Sequence, residues 1–170
     1  MPRPFEVMAE AGAGVAEVLA AFGQRSYWLA RLAAYGGDSM TLNALEVAAD
    51  GGIVVRTTQD LRQEMLPAAI GRLLPGDTAI TRTERWRPAT EDDALAHGDF
   101  EIAARGVPSS GSGTMVLSPL PTGSRLQVRG TVEVRIPVLG GRIERHVTDL
   151  IAREVPQMQQ FTSDWIAGKA

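Results

Sequence analysis

Between Gly141 and Ala167 the apolar residues Ile143, Val147, Leu150, Ile151, Val155, Met158, Phe161, Trp165 and Ile166 recur at threes and fours. That spacing winds into a single stripe on one α-helix. At about 1.5 Å per residue the helix spans roughly 40 Å, enough to cross a small domain, and its stripe has to be covered. Placed at about 100° per residue, Glu154 falls among Ile143, Leu150 and Phe161, away from the polar set Arg142, Arg145, Asp149 and Arg153. Its carboxylate is therefore expected to face a core or a cavity. Pro156 removes one backbone donor and crowds the carbonyl of Ala152, which predicts a bend or a change of phase there, and a bend could rotate Glu154 toward the helix edge. Gly168 supplies a stop.

The rest of the chain carries other periods. Phe5, Val7 and Ala9 alternate with Glu6, Met8 and Glu10, predicting a first strand with one inward face. Residues 15–22 and 26–35 read as two short helices separated near Gly23, the second ended by Gly36-Gly37. Six strands are then predicted near 40–49, 52–61, 77–87, 94–105, 112–120 and 124–136. Turns at Asp50-Gly51-Gly52 and Thr122-Gly123-Ser124 join two pairs of them. The last strand alternates most cleanly, Leu126, Val128, Val132, Val134 and Ile136 opposing Gln127, Arg129, Thr131, Glu133 and Arg135. The stretch from Gln63 to Pro75, with Met65, Leu66, Ile70, Leu73 and Leu74, reads as a short helix or an apolar flap. Val107 to Gly113 reads as a small-residue loop.

The order is thus strand, two helices, six strands and one long helix. A sheet with one apolar face must be covered, and the C-terminal helix is the element long enough to do so. This order resembles the helix-grip fold of the START and Bet v 1-like superfamily (SRPBCC, polyketide cyclase-like proteins). Four stretches carry a closer likeness: Tyr27 to Leu32 with Gly36-Gly37-Asp38, Val55 to Leu61, Thr83 to Pro88, and Ile136 to Glu144. On these the chain is similar to the actinobacterial family of unknown function DUF2505. The resemblance implies an α+β domain over residues 1–170, a curved seven-stranded antiparallel sheet wrapping the long helix around an internal cavity. It brings no established catalytic residues.

Composition narrows the functions. A chain of 170 residues that is 44% hydrophobic builds one good core, and a single domain is expected. A net charge of −3 and the lack of a basic stripe argue against nucleic acid. Without cysteine there is no disulfide, no thiolate zinc site and no thiol chemistry. No run approaches the ~20 apolar residues of a membrane span, so a cytoplasmic protein without integral membrane association is expected. A homodimer is left open. His97 and His146 have no metal-like neighbours at helical or hairpin spacing, so neither a metal nor another cofactor is expected. Ser109, Ser110 and Ser112 lack the context of a nucleophile elbow. Gly12-Ala13-Gly14 imitates a dinucleotide fingerprint whose third glycine position is Glu17, and Gly111 to Gly113 precede Thr114 and Met115, unlike a phosphate-binding loop.

The candidate site follows from alternation. Ile80, Arg82, Glu84 and Trp86 share one face of their strand. If Trp86 points inward, Arg82 and Glu84 do too, and Arg82 is placed to pair with Glu154 at one polar end of the cavity, because an isolated buried carboxylate is too costly to keep ionised. In the competing placement Trp86 covers the outer face and the charges are solvated. Thr57 and Gln59, in a row with Ile53, Val55 and Leu61, suit a pocket that needs a few hydrogen bonds, or bond to each other inside a packed core. Trp28, Tyr27, Phe100, Met115, Met158, Phe161 and Trp165 are pocket walls or ordinary core. The first functional reading is binding of an apolar or amphipathic small molecule, lipid-like or polyketide-like, between sheet and helix. The alternatives are a cyclase- or dehydratase-type enzyme using Glu154 as acid or base, and a protein-interaction domain with a filled core.

Overall fold

The structure is a computed structural model that describes residues 1–61, 67–74 and 76–170. In chain order it comprises β1 (Arg3–Ala11), α1 (Val15–Phe22), α2 (Arg25–Gly36), a 3-10 turn (Gly37–Ser39), β2 (Met40–Val47), β3 (Ile53–Asp60), α3 (Ala68–Gly71), β4 (Ala79–Arg87), β5 (Ala96–Arg105), β6 (Ser109–Leu120), β7 (Gly123–Val134) and α4 (Gly140–Ile166). The strands form one antiparallel sheet in the order β1-β7-β6-β5-β4-β3-β2. Both predicted hairpins use glycine where an L side chain is strained: φ is 86° at Gly51 and 101° at Gly123. In the first turn the Asp50 carboxylate also accepts the Gly52 N–H at 2.9 Å. A bulge between Leu42 and Ala44 shifts the register of β2, and Thr58 donates to the extra residue, Asn43, at 2.7 Å.

The stretch from Val107 to Gly113 departs from its expected loop, since β6 begins at Ser109. Gly111 and Gly113 are not turn residues. They face Ile102 and Phe100 across the sheet, and Gly113 sits opposite Gly130. The gap left by those two glycines takes the rings of Phe100 and Phe5, whose centroids lie 6.2 Å apart. Of the predicted flap, Ile70 lies in α3 and packs against the cluster of Val132, Val134 and Ile143, whereas Gln63 to Leu66 and Pro75 lie outside the described residues.

The helix α4 runs unbroken through Pro156 and lies mainly over β1 and β7. Its buried line is rotated slightly from the predicted stripe. Ile143 is buried and Val147, Ile151, Val155 and Trp165 pack against the core, while Leu150 is exposed. Two polar residues, Gln159 and Thr162, are buried with them. At the start of α4 the buried Glu144 carboxylate accepts the Val134 N–H at 2.9 Å, tying helix to strand end. The core between α1, α2, the C-terminal part of α4 and the sheet is aromatic: Phe22 lies within 5.5–5.8 Å of Tyr27, Trp28 and Trp86, centroid to centroid.

Candidate functional site

Inward alternation on β4 puts Trp86, Glu84 and Arg82 on the concave face. Trp86 is buried against Phe22, and the Cβ that Gly98 lacks would stand 2.9 Å from its indole, so a flat strand residue makes room for the ring. The burial of this face falls along the strands. At one end Ile53, Trp86 and Phe100 are sealed, and toward the other Thr57, Gln59, Ile80, Arg82 and Ile102 are only half-buried. Between that half-open stretch and α4 lies a cavity of about 40 Å³, lined by Phe5, Arg82, Phe100, Ile102, Val128, Ile151, Glu154, Val155 and Met158. A second cavity of about 20 Å³ adjoins it, sharing Arg82, Val128, Val155 and Met158 and reaching inward to Arg31, Glu84, Trp86, Met115 and Gln159.

Arg82 takes a partner other than the expected one. Its Nε lies 2.8 Å from Glu84, two residues along the same strand face, and the Trp86 Nε1–H donates to the other oxygen of that carboxylate at 3.3 Å. A neighbour at i+2 on a strand needs no long-range placement, so it wins over Glu154 across the cavity. Glu154 and Arg82 nevertheless line the same small space. Burial pushes the Glu154 carboxyl above the ordinary carboxylate range, opposed by the fields of Arg82, Arg153 and Arg31.

The expected site residues therefore divide. Arg82, Glu84, Trp86, Phe100, Met115, Glu154 and Met158 line the two cavities. Thr57 and Gln59 lie on the same concave face at its open end, outside the lining. Trp28 and Phe161 belong to the neighbouring aromatic cluster, where Trp28 donates to the Phe22 carbonyl at 2.7 Å and Phe161 packs on Tyr27 and Tyr35. Two residues without any sequence signal join the site, Arg31 and Gln159. The Arg31 guanidinium donates to the Tyr27 hydroxyl at 3.3 Å and to the Met158 sulfur at 2.9 Å, and lies over the Trp28 ring. Tyr27 in turn bonds Thr162 at 2.7 Å, and Thr162 donates to the Met158 carbonyl, so a buried polar chain connects α2 to α4.

The raised Glu154 carboxyl has a consequence for stability. Folding favours its protonated form, so its contribution is fully present below the unfolded value near 4.5 and is lost as pH rises through the raised folded value. Glu154→Gln is expected to lack this loss. Melting temperatures of the two proteins between about pH 4 and pH 8 should diverge in favour of the variant as pH rises. Parallel curves would show that the carboxyl titrates as it does in the unfolded chain.

A larger concavity lies elsewhere. A surface groove of about 590 Å³ between α1 and the β2–β3 and β4–β5 turns is lined by Val15, Leu19, Val47, Ile53, Pro88 and small residues, with no charged group. It offers area without a means of orienting a ligand. Among the described residues no cluster of metal-ligating side chains occurs, and no helix is long and apolar enough to cross a membrane.

Comparison with known proteins places this architecture. Residues 6–166 match the model of a family described as a protein of unknown function, DUF2505. An uncharacterized protein of Mycobacterium tuberculosis is 38% identical over 98% of both chains. Among solved structures, TTHA0849 from Thermus thermophilus superposes with a TM-score of 0.55 at 17% identity, covering 99% of each chain. Ara h 8.0201, a Bet v 1-like protein, does so with 0.54 at 12%, also over 99% of each. At those identities the likeness is one of fold: the helix-grip.

Proposed function

This chain belongs to the DUF2505 family, whose function is unknown, and on that premise we propose that it binds an apolar or amphipathic small molecule, lipid-like or polyketide-like, between the sheet and α4. One observation carries the reading. The concave face ends in two adjoining cavities, the outer one walled by Phe5, Phe100, Ile102, Val128, Ile151 and Val155, and their few charged or amide groups are Glu154 in the outer, Arg82 in both, and Arg31, Glu84 and Gln159 in the inner. Apolar walls with a small number of placed polar groups are how small-molecule sites are built. The fold neighbours support a container of this kind.

The space has to grow for that role. About 40 Å³ exceeds the ~10–15 Å³ that one water needs, and falls far below the ~300–1,000 Å³ of a ligand pocket. The helix supplies the means. Pro156 donates no hydrogen bond to the Ala152 carbonyl, and the lining residues Ile151, Glu154, Val155 and Met158 straddle that break. A ligand that lifts α4 there disrupts a turn already short of one bond. Binding of the uncharged dye N-phenyl-1-naphthylamine should be saturable, and Val128→Phe, which fills the floor shared by both cavities, should weaken it by about tenfold, or ~1.4 kcal/mol. Unchanged binding by the variant places the dye elsewhere. Native mass spectrometry of protein from its own host, with extraction of what co-purifies, identifies the molecule, and an empty protein counts against the reading.

The groove beside α1 favours a second reading, a protein-interaction domain with a filled interior. Val47→Asp, at an exposed wall of that groove, then abolishes partner capture and leaves dye binding intact. The enzyme reading rests on the raised carboxyl of Glu154 alone.

A further inference from the structure

The polar groups of the inner cavity are out of balance, and the imbalance has a sign. Glu84 is spent on Arg82 and Trp86. Arg31, only 9% exposed, is left with a phenol oxygen, a thioether sulfur and an aromatic face, and among the described residues it forms no ion pair. A thioether is a weak acceptor, so the guanidinium is held in low dielectric by partners that do not neutralise it. Gln159, 2% exposed, lines the same cavity, and its Nε2 has no hydrogen-bond partner in the protein. What this end of the cavity lacks is an acceptor, and a negatively charged one satisfies both groups at once.

Resting on the binding reading above, we propose that the ligand is a carboxylate-bearing apolar molecule whose carboxylate is received by Arg31 and Gln159, with its apolar body running outward past Val128 and Met158 toward Phe100 and Ile102. A carboxylate accepts from a guanidinium and an amide together through its two oxygens. The direction is set by the walls: the outer cavity is the more apolar one and its cation, Arg82, is already paired with Glu84, whereas the deep end holds Arg31, which has no ion pair among the described residues. At the outer end Glu154 would repel an anion when ionised, and its raised carboxyl lessens that conflict. The arrangement also gives the buried Arg31 of α2, which feels the field of Glu84 without contacting it, an acceptor of its own in an otherwise aromatic core.

The test compares matched pairs by isothermal titration: decanoic acid against 1-decanol, and 1-naphthoic acid against 1-naphthalenemethanol. The expected result is that at least one acid binds about tenfold to a hundredfold tighter than its alcohol, the range of a hydrogen bond to a charged group. Gln159→Leu should reduce that preference and Arg31→Met should remove it, each read as the ratio of acid to alcohol affinity within one variant. If Arg31→Met does not fold, Gln159→Leu decides alone. Acids and alcohols bound equally, or a preference that Gln159→Leu leaves intact, overturn the inference and leave the cavity reading standing; Gln159 then holds an ordered water only. Failure of all four probes to bind, with N-phenyl-1-naphthylamine also excluded, overturns both.

Discussion

Replacing Glu84 with leucine is expected to lower the unfolding free energy by about 3 kcal/mol, toward the lower end of what breaking a buried ion pair costs. The carboxylate is 4% exposed and is the only acidic group that β4 presents to the concave face. Its removal leaves the Trp86 Nε1–H without an acceptor and Arg82 without its 2.8 Å partner. Arg82 has an escape, because its side chain is 31% exposed and can swing to solvent at the open end of the cavity. Arg31 has none. It feels the field of Glu84 without touching it, and loses that compensation where it sits. Glu84→Gln keeps an acceptor for the indole and removes only the charge, so it should fall between wild type and leucine. In the double variant Arg82→Met, Glu84→Leu the loss should shrink, since the exchanged pair is then apolar, but not vanish while Arg31 stays buried. Urea unfolding of the four proteins at neutral pH measures all three differences. Full recovery in the double variant would mean that Arg31 does not depend on Glu84.

The parts of the site legible in the sequence are those that a single period decides. Alternation on β4 sent Trp86, Glu84 and Arg82 to one face, and once the ring was inside the two charges had to follow. The three-four spacing of α4 brought Val155 and Met158 to the cavity with Glu154 beside them. What the periods hid are groups whose burial depends on a partner from a distant element. Gln159 and Thr162 look like surface residues of an amphipathic helix, yet Thr162 is held inside by Tyr27 of α2, 135 residues away. Arg31 occupies a turn of α2 that would suit a solvated cation, and is drawn in by Tyr27, Met158 and the Trp28 face. Glu144 reads as one more charge at a helix start until β7 ends beside it with a free N–H. The expected Arg82–Glu154 pair failed for the opposite reason, a competing local partner two residues away.

Gly113 belongs with the hidden parts, since glycine in a Ser-Gly-Ser-Gly run signals a loop. Gly113→Ala is expected to destabilise the fold by about 3 kcal/mol, at the upper end of what overpacking a well-filled core costs. A Cβ there collides with the Arg129 carbonyl oxygen and stands 2.7 Å from the Gly130 Cα and 2.8 Å from the Phe100 ring. Two of those three neighbours are backbone of β7, which is paired along its length to β6 and β1 and has little room to yield. The ring is the softer obstacle. In the double variant Phe100→Leu, Gly113→Ala the ring contact is gone while the backbone contacts remain, so only part of the loss added by Gly113→Ala should be recovered relative to Phe100→Leu alone. By contrast Gly141→Ala, whose Cβ meets nothing within 4 Å, should be neutral or slightly stabilising in the first turn of α4. Denaturant unfolding separates these cases. An alanine at 113 tolerated as well as one at 141 would mean that β6 and β7 move apart freely. The floor beneath Phe100 would then be soft, and the cavity could enlarge from the sheet side without any movement of α4.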